Sequence, residues 1–163
     1  MADGDDPLGG EVEIDETYIG GHRKLKQKFH NKSVVFGIVE RNGAVKTQHV
    51  QTNGSRVLVP VIVKEVEPGS HIHSDEWQAY KPLPKLGYSH TTVNHSKLEY
   101  VRGSAHTNTI EGYWSQLKRS IDGTYHSVSP KYLQNYLDEF SFRYSLRGVA
   151  AYPVLLELAA KRV

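Results

Sequence analysis

Cysteine is absent from all 163 residues. That excludes a disulfide framework, a cysteine-ligated zinc ribbon and a thiol nucleophile within this chain, and it suits a reducing cytoplasm. Long apolar runs are absent too. None approaches the roughly 20 residues that span a bilayer, so no membrane partner is expected. The opening MADGDDPLGG is acidic and reads as a flexible segment over residues 1–10, not as a signal peptide. No internal repeat or low-complexity segment occurs, and no serine or tyrosine nucleophile motif stands out despite ten Tyr. Nor is there a large excess of charge, the formal net being +2. What is present, 38% hydrophobic and 23% charged residues, is ordinary globular composition. The length suits one domain with a real core, placed at residues 11–163.

The small net charge hides an uneven distribution. HRKLKQKFHNK holds Arg23, Lys24, Lys26, Lys28 and Lys32 with no acid, and Lys118 and Arg119 form a second basic cluster. Such patches suit a polyanion such as nucleic acid, and equally a solvated loop.

Hydrophobic periodicity orders the chain. Residues 11–19 alternate as a strand, with Glu13, Asp15 and Thr17 on one face and Val12 and Ile14 on the other. Residues 33–40 and 44–50 flank Asn42-Gly43, a strong hairpin signal, which makes the first three strands an antiparallel meander. Ser55 can cap a helix to about residue 66, with Pro60 inside it. A short strand at 70–74 then ends at Asp75, and the helix between implies a parallel, right-handed crossover. Residues 77–83 read as helical until Pro82 and Pro84, and 90–94 as a fifth strand. Asn108 is a suitable N-cap for a helix stopped by Gly123. Ser129-Pro130 opens another helix, carrying Leu133, Tyr136, Leu137, Phe140 and Tyr144, and a last one starts near Pro153. This order is the layout of an α/β ribonuclease H-like fold: a mixed five-stranded sheet flanked by helices, with extra C-terminal helices.

Three acids stand out in that layout: Asp15 in VEIDETYIGG, Asp75 in HIHSDEWQAY and Glu111 in HTNTIEGYWSQLKR. Two strand carboxylates and one on a late helix could hold divalent metal through hard oxygen ligands for phosphoryl transfer. Each has a plainer use. Asp15 could be an edge-strand charge, Asp75 a helix N-cap, and Glu111 the far end of a capping box with Asn108. Glu13 shares the face of Asp15, and Glu16 points away from it. His71 and His73 share the face of Asp75 and could bind a softer metal. Packing is the commoner use of histidine, and they are not read as ligands. Trp77 and Tyr113 could stack on an unpaired base, whereas Trp114 falls on an apolar stripe; His126 could orient DNA or close a turn.

The segments VEIDETYIGG, SDEWQAY, GYSHTTVNHS and YVRGSAHTNTIEGYWSQLKRSIDGTYHSVSPKYLQNYLDEFSFRY, over about residues 11–146, resemble the catalytic domain of ISXO-type DDE transposases of bacterial insertion sequences. The resemblance implies a ribonuclease H-like fold and a site built on Asp15, Asp75 and Glu111. It also implies two Mg²⁺ or Mn²⁺ ions and cut-and-rejoin chemistry on transposon ends. Double-stranded DNA is then the partner, bound by a homodimer or larger assembly in the cytoplasm. His106 and Asn108, near Glu111, and Lys118 and Arg119 further along suit phosphate contacts beside the first basic run, and equally ordinary helix-surface charge. Members of that family usually carry an N-terminal zinc ribbon; this chain opens at the catalytic segment, and its stretch after Gly21 is shorter. Two other readings use the same residues: a hydrolytic nuclease or resolvase of the same fold, and a non-enzymatic DNA-binding remnant that acts as a regulator.

Overall fold

In a computed structural model, which describes residues 6–20, 32–93, 106–125 and 128–148, the segment 11–19 is the central strand of a five-stranded sheet. The strands are β1 (Glu11–Ile19), β2 (Ser33–Glu40), β3 (Val45–Val50), β4 (His71–Asp75) and β5 (Ser89–Val93), in the order β3-β2-β1-β4-β5. β1, β2 and β3 pair antiparallel; β4 pairs parallel with both β1 and β5. The hairpin turn forms as expected. Asn42 takes a left-handed φ of 62°, which Asn tolerates better than most residues, and Gly43 N–H closes on Glu40 O at 3.0 Å. α1 (Ser55–Glu65) supplies the crossover that a parallel β4 requires.

Alternation gives the sheet two buried faces. Val12, Ile14, Phe36, Ile38 and Ile72 pack under Leu58 and Ile62 of α1. On the other face Ile19, Val35 and Val39 meet α2 (Asn108–Ser120) through Ile110, Tyr113, Trp114 and Leu117, and α3 (Pro130–Ser145) through Leu133, Tyr136 and Leu137. Each large aliphatic buried this way contributes about 1.5–3 kcal/mol. α3 also closes the sheet's β3 edge. Its Gln134 accepts from His49 N–H at 2.7 Å and donates to Thr47 O at 3.0 Å, and Ser145 Oγ accepts from Val45 N–H. Strands two, one and four around the acidic residues are therefore interior, and the sheet is the mixed ribonuclease H-like one expected.

Several local features differ from expectation. Residues 77–83 are not one helix but part of two short 3₁₀ turns, Gln78–Tyr80 and Leu83–Leu86, because Pro82 and Pro84 lack the N–H groups an α-helix would use. Gly54, not Ser55, caps α1, and Thr107, not Asn108, caps α2. Gly123 does not stop α2. The chain continues as a π-helical turn, Ile121–Tyr125, because burial of Ile121 in the core outweighs the local cost of glycine. The flexible opening is tied down at Leu8, which is buried and bonds through its backbone to Glu65 and Glu67. Arg23, Lys24, Lys26, Lys28, His126 and the helix expected from Pro153 lie outside the described residues. No helix among the described residues is long and apolar enough to cross a membrane.

Candidate active site

Asp15 and Asp75 reach one place through strand register. β1 and β4 pair Glu11 with His71, Val12 with Ile72 and Glu13 with His73. Carried two residues further, that register sets Asp75 beside Asp15. Their proximity shows in the electrostatics: burial first, then the charges of Glu16 and Asp75, push the Asp15 carboxyl up to about 7. A hydrogen bond of 3.0 Å from Trp114 Nε1 to Asp15 Oδ2 opposes the rise. Asp75 Oδ1 accepts Trp77 N–H at 2.9 Å, so the capping use of this carboxylate is partly realised. The Trp77 ring stands beside it, 42% exposed, with its own N–H on Asn53 O at 2.8 Å.

α2 is seated by Glu13. This carboxylate is fully buried, and it accepts Ile110 N–H at 3.0 Å and Arg41 Nε–H at 2.8 Å. A strand residue thus satisfies one of the orphan donors at the helix start, where the helix dipole also favours negative charge. Arg41 spans the gap, donating from Nη2 to His106 O at 2.8 Å. His106 Nδ1 lies 3.2 Å from Glu13 Oε1. Glu111 follows Ile110 directly and is exposed, with Oε1 accepting from Thr107 Oγ1 at 2.8 Å. Because the helix starts after Thr107, Glu111 is its fourth residue, and the capping box with Asn108 does not form. One turn on, Trp114 lies across Gly37, the β2 partner of Asp15. A Cβ at Gly37 would stand 2.6 Å from the indole. The bare backbone there is what lets Trp114 reach Asp15.

The structure therefore brings Asp15 and Asp75 to neighbouring positions and lays the helix carrying Glu111 across β1. The other expected residues are dispersed. Asn108 is exposed at the first position of α2, Lys118 and Arg119 are exposed in its last turn, and Lys32 is exposed just before β2. Seven residues of helix separate Glu111 from Lys118 by about 10 Å. Sequence reasoning missed the anchoring by Glu13 and Arg41, the Trp114 N–H and the role of Gly37. A glycine inside the strand SVVFGIVE was the one available signal, since it marks close approach of another group. Glu16, on the opposite face as expected, accepts from the Tyr80 hydroxyl and from Asn53 Nδ2 at 3.2 Å. Burial foremost raises its carboxyl, and Asp75 adds to the rise. Crowded carboxylates of this kind, all oxygen donors, fit a hard divalent cation that would relieve their repulsion.

A mixed sheet in the order β3-β2-β1-β4-β5, with helices on both faces and acids at β1, β4 and the helix after β5, defines the class: ribonuclease H-like α/β domains. Within that class, the chain belongs to the ISXO2-like transposase domain family, whose model matches residues 7–145. Among solved structures it is similar to a chain in the crystal structure of the Mos1 strand transfer complex, at 8% identity and a TM-score of 0.36. That similarity covers 84% of this chain, which spans about half (53%) of the other. Comparison with curated proteins gives no match.

Proposed function

We propose that this chain is the catalytic domain of a DNA transposase that breaks phosphodiesters at transposon ends and joins the freed 3′-OH to target DNA. The observation that supports the reading is the β1–β4 register, which carries Asp75 to the position beside Asp15, together with the seat on Glu13 of α2, the helix that bears Glu111. These three carboxylates are the proposed ligands of one or two Mg²⁺ or Mn²⁺ ions. Such ions, when bound, would lower the pKa of attacking water and neutralise charge on the phosphodiester. The protein's own part is positioning. Trp114 holds one oxygen of Asp15, Trp77 N–H one oxygen of Asp75, and the Thr107 hydroxyl one oxygen of Glu111. Arg23, Lys24, Lys26, Lys28, Lys32, Asn108, Lys118 and Arg119 are proposed phosphate contacts. His106 is also a proposed phosphate contact; its Nδ1 lies 3.2 Å from Glu13 Oε1. Two transposon ends must be joined in one event, so the working form is a homodimer or larger on DNA, in the cytoplasm.

A strand-transfer assay with end-containing DNA and Mn²⁺ tests this. Joined product is expected, and Asp75→Ala and Glu111→Gln should each abolish it. Cut but unjoined strands would support the hydrolytic reading, and unchanged joining by Asp75→Ala would sink the site.

A further inference from the structure

We propose that Glu11, His71 and His73 form a second metal site, suited to a borderline-soft divalent ion such as Zn²⁺ and separate from the three acids above. Their donor atoms all lie within 4.8 Å of one another. β1 and β4 assemble them: Glu11 pairs with His71, and His73 follows two residues along the same face. Glu11 Oε1 is 3.3 Å from His71 Nδ1, and Glu11 Oε2 meets His73 Nε2. Ligands at adjacent corners of a Zn²⁺ tetrahedron with bonds of about 2.0–2.1 Å stand about 3.3–3.4 Å apart, the spacing of the first pair.

The surroundings favour ligation. His71 Nε2 is 2.7 Å from Thr91 Oγ1 on β5. In the tautomer that donates there, Nδ1 carries the lone pair that a metal ion needs, on the side facing Glu11. A hydrogen-bonded far nitrogen is also the usual means of orienting a ligating imidazole. His73 is fully buried, its Nδ1 has no hydrogen-bond partner, and its Nε2 faces Glu11 Oε2, so a cation bound there would take the place of the proton shared with that carboxylate. The two rings lie 4.3 Å apart. Arg41 passes 3.7 Å from Glu11 Oε2, but its guanidinium is held by Glu13 and the His106 carbonyl.

The donor set separates this site from the candidate active site. Two imidazoles and one carboxylate suit zinc or its neighbours, whereas Mg²⁺ takes oxygen ligands. Four residues of strand, about 13 Å, separate Glu11 from Asp15 and His71 from Asp75, too far for one ion to serve both. Side-chain exposures of 47% for Glu11 and 30% for His71 leave an approach from solvent. Bound there, the ion would clamp β1 to β4 and fix the register that brings Asp75 beside Asp15.

The test is calorimetric titration of the tag-free full chain with Zn²⁺ in excess Mg²⁺, with Co²⁺ visible absorption as a second readout. One ion per chain is expected, both in the parent and in the triple variant Asp15→Asn, Asp75→Asn, Glu111→Gln. Affinity should fall about tenfold or more in Glu11→Gln, His71→Asn and Thr91→Val. The first two replace partly exposed side chains, so loss of fold does not confuse the result. No binding by the parent, binding unchanged in Glu11→Gln and His71→Asn, or binding lost in the triple variant would overturn the proposal.

Discussion

Trp114 buries its ring against Gly37 and gives its one N–H to Asp15, so the two functions of the side chain separate by substitution. Trp114→Phe keeps most of the ring and removes the donor. A hydrogen bond to a charged group contributes about 1.5–3 kcal/mol to stability, so urea unfolding should show a loss of about that size when Asp15 is ionised, and joining activity in Mn²⁺ should fall with it. Gly37→Ala acts through packing. Its Cβ meets the indole at 2.6 Å and Ile110 Cδ1 at 3.2 Å, both on a buried helix face. Overpacking of this kind costs about 1–3 kcal/mol, to be read from urea unfolding, and should lower activity as well. Asp15, Asp75 and Glu111 could be proposed from the sequence through the family-like segments that hold them, because each local pattern alone also fits a plainer use. Their supports could not. The Trp114–Asp15 bond joins residues 99 apart and the Ile110–Glu13 bond residues 97 apart, and no local periodicity encodes such pairs.

Among the elements, α2 depends on a cap that belongs to another part of the chain. Glu13 on β1 and Arg41 in the β2–β3 turn form a buried pair that also holds Ile110 N–H and the His106 carbonyl. Removing one partner of a buried pair leaves the other uncompensated, at about 3–5 kcal/mol. Glu13→Ala should therefore cost about that much in urea unfolding and loosen α2. Arg41→Ala should be of similar size, and the double variant should lose clearly less than the sum, because both changes remove one interaction. A fully additive cycle would mean the two side chains act separately. The strands and the hairpin turn were readable because alternation and Asn42-Gly43 are local signals. The α2 cap, the 3₁₀ turns after Asp75 and the π-helical turn were not. The cap and the turn past Gly123 are decided by tertiary contacts, which outweigh local propensity at helix ends.

For the whole molecule, the cluster of acids sets how stability responds to pH and metal. The Asp15 carboxyl titrates near 7 in the folded chain against an ordinary 3.8, chiefly through burial and then the charges of Glu16 and Asp75. Between those values the folded state binds more protons than the unfolded one, so this group's contribution falls as pH rises through the window. Glu16, also raised chiefly by burial, acts in the same direction. His73 and His90 act oppositely: burial holds both below the ordinary histidine value, so their contribution rises with pH in the range below about 6.5. Net stability of the metal-free chain therefore mixes two slopes, and the useful quantity is the difference between the parent and Asp15→Asn. In metal-free buffer the variant should be the more stable at about pH 8, and its advantage should shrink steadily toward about pH 4. Mn²⁺ should then raise the parent's urea midpoint at high pH and leave the variant's nearly unchanged, since binding requires the deprotonated carboxylate and stabilises only the state that binds. Equal midpoints for parent and variant across the whole range would mean that Asp15 is not held among like charges, and the case for a cation at this position would lose its electrostatic basis.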